Sequence, residues 1–201
     1  MTTDPQHVSP QTGERMSIKE YFTLDYTTHD AKYEYHNGTI RLMAGGSKEH
    51  DDIAFNIRAA LKQEFRSGPC SVQGSDMRVQ VNNDTYFYPD VTVTCDVADR
   101  RRGNKLIRSP RLVVEVLSPS TEKADREEKL PSYKACPSVV EIAFVSQFAP
   151  YIEIWRRDHE DEWRCTHYGS GETIDFASLD VHIPMDDIYD GINFDEPLVE
   201  E

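Results

Sequence analysis

The sequence predicts a single mixed α/β (α+β) domain, a central sheet flanked by helices with further β-strands added towards the C-terminus. Three observations predict it. Residues 33–43 carry a hairpin signal, residues 47–66 carry helical periodicity, and Leu112-Val113-Val114-Glu115-Val116-Leu117 is a near-continuous apolar run of the kind found in strands buried on both faces. The chain has 201 residues, 38% of them hydrophobic, enough for one core of ordinary size. The expected layout is a flexible polar leader at 1–15, one domain at 16–195 and an acidic tail at 196–201.

The elements follow in order. Ser17 and Glu20 form a capping box that opens a short helix running to about Leu24. Tyr33 to His36 alternates, Asn37-Gly38 supplies a type I′ turn, and residues 39–43 return as the second strand. Ser47 caps the next helix, and Glu49, Asp51 and Asp52 favour its N-terminus. Ile53, Ile57, Leu61 and Phe65 give that helix an apolar face until Ser67-Gly68-Pro69 ends it. Strands are expected at 70–73, 77–81 and 86–94, the second and third joined by a turn at Asn82-Asn83-Asp84. After the buried strand at 112–117, Ser118-Pro119 starts a charged helix that runs to about Cys136 and is kinked or broken by Pro131. A buried strand at 139–145, a hairpin at 151–167 and short strand fragments complete the chain.

No stretch approaches the length of a transmembrane helix, and residues 1–11 lack the apolar segment of a secretory signal, so a cytoplasmic protein is expected. Cys70, Cys95, Cys136 and Cys165 show no C-x-x-C pair and read as reduced, mostly buried thiols. Net charge is −14, but residues 158–201 hold −13 of it and the remaining body is nearly neutral. Within that body, Arg100, Arg101, Arg102, Lys105, Arg108 and Arg111 form a run free of acids, a candidate phosphate-binding stretch. The overall charge therefore does not exclude a nucleic-acid partner.

Glu115 stands in the most apolar strand of the sequence, where a carboxylate is costly unless it is paired or binds a metal. Val114 and Val116 point to one face and Glu115 to the other. Asp90 follows Pro89 at the head of another strand, 25 positions earlier. Either acid alone has an ordinary explanation, a salt bridge for Glu115 and a turn cap for Asp90. Together on neighbouring strands they make a site for a hard cation such as Mg²⁺, which takes few carboxylates and keeps several waters. Asp125, Lys129 and Tyr133 recur at i, i+4 and i+8 and share a helical face. His50, one turn before the Ile53 face, reads as a hydrogen-bonded core histidine, and the histidines show no zinc spacing.

The ordered blocks Tyr33-Glu34-Tyr35-His36-Asn37-Gly38, Ser47-x-x-His50, Pro89-Asp90-Val91, Val114-Glu115-Val116-Leu117-Ser118-Pro119-Ser120-Thr121 and Asp125-x-x-x-Lys129-x-x-x-Tyr133 resemble the Uma-type restriction-endonuclease family of the PD-(D/E)XK nuclease superfamily. The similarity runs in register from about Ile18 to Arg156. It implies a restriction-endonuclease-like fold and an endonuclease that hydrolyses DNA with Mg²⁺ or Mn²⁺. Asp90, Glu115 and the backbone carbonyl of Val116 would hold the metal, and Glu34 would be an auxiliary acid. The superfamily's lysine two residues after the glutamate is Leu117 here, and Lys129 matches the position to which this family moves that lysine. Arg100, Arg101, Arg102, Lys105 and Arg108 would guide the DNA backbone. A homodimer would suit double-strand cleavage. Leu117 also leaves a second reading: a catalytically inactive nucleic-acid-binding or protein-interaction domain that retains the nuclease fold.

Overall fold

The computed structural model describes residues 10–28, 30–43 and 45–195; the acidic tail at 196–201 and most of the leader lie outside them. Helix α1 (Ile18–Thr27) opens on the expected capping box, with Ser17 and Glu20 satisfying each other's backbone N–H groups. Strands β1 (Tyr33–His36) and β2 (Thr39–Leu42) form the hairpin, and Asn37 and Gly38 take the positive φ of 50° and 87° that a type I′ turn requires. Residues 12–16 hydrogen-bond along this hairpin, Gly13 N–H to the Ile40 carbonyl and Met16 N–H to that of Gly38.

Helix α2 (Lys48–Glu64) is capped by Ser47 and buries Ile53, Ile57 and Leu61. Next come β3 (Ser71–Gly74), β4 (Arg78–Asn82), β5 (Thr85–Phe87), β6 (Val91–Thr94), the short β7 (Leu106–Ile107) and β8 (Pro110–Leu117). The crossover carries α3 (Glu122–Ala124), a π turn (Asp125–Lys129) and α4 (Leu130–Ala135). Then follow β9 (Glu141–Ser146), β10 (Ile152–Arg157), β11 (Trp163–Tyr168), β12 (Thr173–Phe176), β13 (Val181–Pro184) and α5 (Met185–Ile188).

These strands build two main sheets, ordered β11-β10-β9-β8-β6-β3 and β2-β1-β5-β4-β7, with β12-β13 as a separate ribbon. The mixed α+β class stands, although the single central sheet becomes two. β8 pairs with β9 in parallel and with β6 antiparallel, so it lies inside the larger sheet and is buried on both faces. One face, with Val114 and Val116, packs on α2, the ribbon and α5. The other, with Val113 and Leu117, packs on Tyr133 of α4 and on Val79, Phe87 and Ile107 of the smaller sheet. A third, tyrosine-rich cluster joins Tyr21 of α1 to Tyr33, Tyr35 and Tyr86.

Three sequence expectations are corrected. The strand expected at 86–94 is two strands in different sheets, because Pro89 has no N–H to continue a ladder and the chain crosses at Tyr88-Pro89-Asp90. The helix expected from Ser118-Pro119 starts at Glu122, preceded by a turn in which the Ser118 carbonyl accepts from Thr121 and Glu122. The four thiols are not all reduced: Cys70 and Cys95 form a disulfide. Distance along the chain hid this pairing, since Ser71 faces Thr94 in the antiparallel β3–β6 ladder and the next residue on each strand is a cysteine. Among the described residues, no helix is long and apolar enough to cross a membrane. Thiol titration of the denatured, unreduced protein should find two reactive groups, Cys136 and Cys165, and four after reduction; four without reductant would refute the disulfide.

Candidate active site

The register of β6 on β8 pairs Val91 with Val114, and one step further sets Asp90 against Glu115. Asp90 lies just outside the ladder, and its side chain replaces the missing backbone partner. Its Oδ2 accepts the Val116 N–H at 2.7 Å. The N–H and carbonyl of one strand residue face the same neighbour, so the Val116 carbonyl is also turned towards the place that β6 has vacated.

Glu115 projects from the opposite face to Val114 and Val116, as its position in the strand requires, and is 3% exposed. Its Oε1 accepts from the Tyr133 hydroxyl at 2.6 Å and from Lys129 Nζ at 3.2 Å. Lys129 Nζ also lies 3.0 Å from Glu34 Oε1 and 3.2 Å from Asp125 Oδ1. The Asp125 contact is a charge pairing without a directed hydrogen bond. Glu34, 3% exposed, further accepts the Tyr88 N–H at 3.2 Å, so the residue that follows β5 is tied to β1. Both faces of β1 are covered, and the hairpin acid that alternation alone left between surface and site is a site residue by position.

The helix geometry explains how Lys129 arrives there. In the π turn the Leu130 N–H bonds back five residues to the Asp125 carbonyl. In an α-helix the Pro131 ring would clash with the carbonyl four residues earlier, that of Glu127, and the wider turn removes the clash. Pro131 therefore changes the hydrogen-bond pattern upstream rather than breaking the helix at its own position. Asp125, Lys129 and Tyr133 are all buried on the side that meets Glu115.

Glu34, Asp90, Glu115, Val116, Asp125 and Lys129 line a cavity of about 280 Å³, bounded also by Arg41, His50, Tyr88 and Ser118. His50, read from sequence as a core histidine, has Nε2 3.3 Å from Asp90 Oδ2 and lines the cavity beside Val116. Arg41 reaches the site from β2, bonding Glu128 Oε2 at 2.7 Å and lying 3.9 Å from Glu34 Oε2. Neither residue was assigned to the site from the sequence. His50 carried a signal in its Ser47-x-x-His50 block; Arg41 carried none. The basic run Arg100, Arg101, Arg102, Lys105 and Arg108 is not brought to this cavity. It leaves the far end of β6, beyond Thr94, whereas Asp90 precedes the near end.

The model of the Uma2 family, described as "Putative restriction endonuclease", matches residues 18–185. The chain belongs to the Uma2 family. The uncharacterized protein slr1290 of Synechocystis sp. is 34% identical over 181 residues, covering 90% of this chain and 94% of its own. A second Synechocystis protein, the uncharacterized sll1609, is 28% identical over 153 residues, with 75% and 86% covered. A crystal structure from Anabaena variabilis, described as a "putative nuclease belonging to DUF820", superposes with a TM-score of 0.72 at 14% identity. It covers 87% of this chain and 97% of that one, so the two share a fold.

In this Uma2 chain the charges around the cavity are unbalanced. Glu34, Asp90, Glu115 and Asp125 surround one buried ammonium, with Arg41 at the rim. Burial pushes the Glu115 carboxyl well above the usual range; Lys129 opposes this, and Asp125, Asp90 and Glu34 add to it. Burial likewise raises Asp125, against the pull of Lys129. For Lys129, burial alone would lower the pKa, but Glu115, Glu34 and Asp125 outweigh it and hold the ammonium protonated. Burial also works to lower His50, and the hydrogen bond and charge of Asp90 reverse it.

The donor set fits a small hard cation. Glu115 Oε1 is taken by Lys129 and Tyr133 and Asp90 Oδ2 by Val116, which leaves one oxygen of each carboxylate and the Val116 carbonyl. Among the described residues no three His, Cys, Asp or Glu side chains converge on a common metal position. A cation here would rest on two carboxylates, a carbonyl and water, the coordination that Mg²⁺ tolerates. Removing Lys129 would strand buried carboxylates, so Lys129→Met should lose about 3–5 kcal/mol in urea unfolding. Added Mg²⁺ should recover part of that loss; a loss under about 1 kcal/mol would show that the ammonium does not hold the cluster.

Proposed function

We propose that this protein is an endonuclease of the PD-(D/E)XK type that hydrolyses DNA phosphodiester bonds with Mg²⁺ or Mn²⁺. The observation that carries the reading is the placement of the Lys129 ammonium on Glu115, 3.2 Å from Oε1. Leu117 occupies the superfamily's lysine position and shares the Glu115 face, but packs in the apolar cluster with Val113 and Tyr133. The cation that the motif calls for is delivered instead from the crossover helix.

When bound, a divalent ion would acidify its water and neutralise a non-bridging phosphate oxygen. The residues divide the remaining work. Asp90, Glu115 and the Val116 carbonyl are the metal-binding set. Tyr133 and Lys129 fix Glu115 Oε1 and so orient its other oxygen towards the cavity. Lys129 positions the attacking water and stabilises the negative charge that develops on the phosphate. Glu34 holds Lys129 from the other side, in the role of a positioning acid. Membership of the family and the nuclease fold support this reading.

One observation favours a second reading. His50 already engages Asp90 Oδ2, on one of the two carboxylates assigned to the metal. A non-catalytic member of the fold could keep its site closed in this way and bind nucleic acid without cutting it. Incubation with supercoiled plasmid separates the two. Wild type should nick or linearise the plasmid with Mg²⁺ and not with EDTA. Asp90→Ala and Glu115→Ala should each lower the rate at least about a hundredfold while retaining the wild-type circular dichroism spectrum. Undiminished cutting by Asp90→Ala would remove the site from the mechanism, and salt-sensitive binding without cleavage would establish the second reading.

A further inference from the structure

Beside the site lies a larger groove, about 1250 Å³, between α1 and the turn that joins β3 to β4. It is too large and open to be a snug pocket for one small molecule. Its walls carry Lys19, Lys32, Arg78 and Lys105 against Asp25 and Asp76, an excess of positive charge in a chain whose net charge is −14. Arg78 is held by Asp25 and lies over the Phe22 ring at 4.8 Å, and Lys32 pairs with Asp76. Lys19 and Lys105 make no ion pair among the described residues, and Lys105 Nζ instead lies 5.6 Å from the Tyr26 ring centroid. Tyr26 is 77% exposed, the most exposed large apolar side chain described, and it stands on the groove wall.

The groove and the catalytic cavity share one residue. Tyr88 lines both: its N–H donates to Glu34 in the site, and its hydroxyl donates to Asp25 Oδ1 at 2.6 Å in the groove. Tyr88, 6% exposed, is the wall that the two share, so groove and cavity lie one side chain apart.

We infer that this groove binds the single polynucleotide strand that flanks the scissile phosphate, with a base stacked on Tyr26 and phosphates paired with Lys19 and Lys105. The groove's role rests on the nuclease reading of the neighbouring site. An exposed aromatic ring set among lysines is the combination that single strands use, since every base offers a π face and every linkage a charge. The catalytic cavity is lined by four carboxylates against Arg41 and Lys129, so its own side chains do not favour an anion. A substrate anion is therefore held mainly outside it. A ring has two π faces, so Lys105 can be drawn to one while the largely exposed ring offers the other to a base.

The test is fluorescence anisotropy of a labelled single-stranded oligothymidylate with the full-length protein in EDTA, so that cleavage does not intrude. Tyr26→Ala should weaken binding about tenfold, and Tyr26→Trp should restore it. The double variant Lys19→Ala/Lys105→Ala should reduce the slope of log affinity against log salt by about 1.4, two phosphates' worth on a single strand. Unchanged affinity in Tyr26→Ala, an unchanged slope in the double variant, or equal displacement of the oligonucleotide by polyglutamate would each overturn the inference. Plasmid assays keep the two conclusions apart. Tyr26-dependent binding without Mg²⁺-dependent cutting upholds the groove and defeats the nuclease reading. Wild-type cutting with groove variants that bind and cut normally does the reverse.

Discussion

One buried ammonium holds the two sheets and the crossover helix to each other. Lys129 is 6% exposed and touches Glu34 of the smaller sheet, Glu115 of the larger sheet and Asp125 of its own helix. As a source of stability the arrangement is poor. Desolvating several charges costs about as much as their attraction returns, and apolar residues of the same volume often serve a core as well or better. Phe87 and Phe144 lie in the same layer and show that the fold can fill this space with apolar side chains. The acids and the lysine therefore point to chemistry rather than to cohesion, with cohesion coming from the three apolar clusters around them.

The site depends on where strands stop. β6 ends one residue short of Asp90 because the chain must cross from the smaller sheet through Pro89, and that early end leaves the Val116 N–H and carbonyl without a ladder partner. Asp90 satisfies the first, and the second is left facing the cavity. A continuous ladder would have used both groups internally and left nothing for a ligand. The break that corrects the strand expected at 86–94 is thus also what makes a strand end into a binding surface.

How much of this was legible can be traced residue by residue. The hairpin, α2 and the buried strand with Glu115 follow from periodicity and turn chemistry, and Asp90 with Glu115 followed from burial logic joined to a family resemblance. Alternation left Glu34 undecided, because β1 is covered on both faces and its neighbours are tyrosines on either choice. The π turn was invisible, since a hydrogen-bond shift leaves the side-chain pattern of Asp125, Lys129 and Tyr133 almost intact; only Pro131 hinted at it. Arg41 and the Cys70–Cys95 pair arise from strand register, a property of two segments that neither segment encodes alone. The basic run was conspicuous in sequence but misplaced in space: it does not reach the acidic cavity, and of its residues Lys105 lines the neighbouring groove.

That misplacement bears on the charge of the whole molecule. A net −14 argues against a polyanionic ligand only if the acids lie near the surface that meets it. Screening at physiological salt confines such effects to roughly 8 Å. The acidic C-terminal fifth of the chain runs through β11, β12, β13 and α5, and the last three pack behind α2 on the valine face of β8. No described residue beyond 157 lines either the groove or the cavity around Glu115. The groove beside the site carries Lys19, Lys32, Arg78 and Lys105 against Asp25 and Asp76, a local excess of positive charge in a molecule that is acidic overall. An acidic protein can hold a nucleic-acid strand on such a face, because it is the placement of its charge, not the total, that the strand meets.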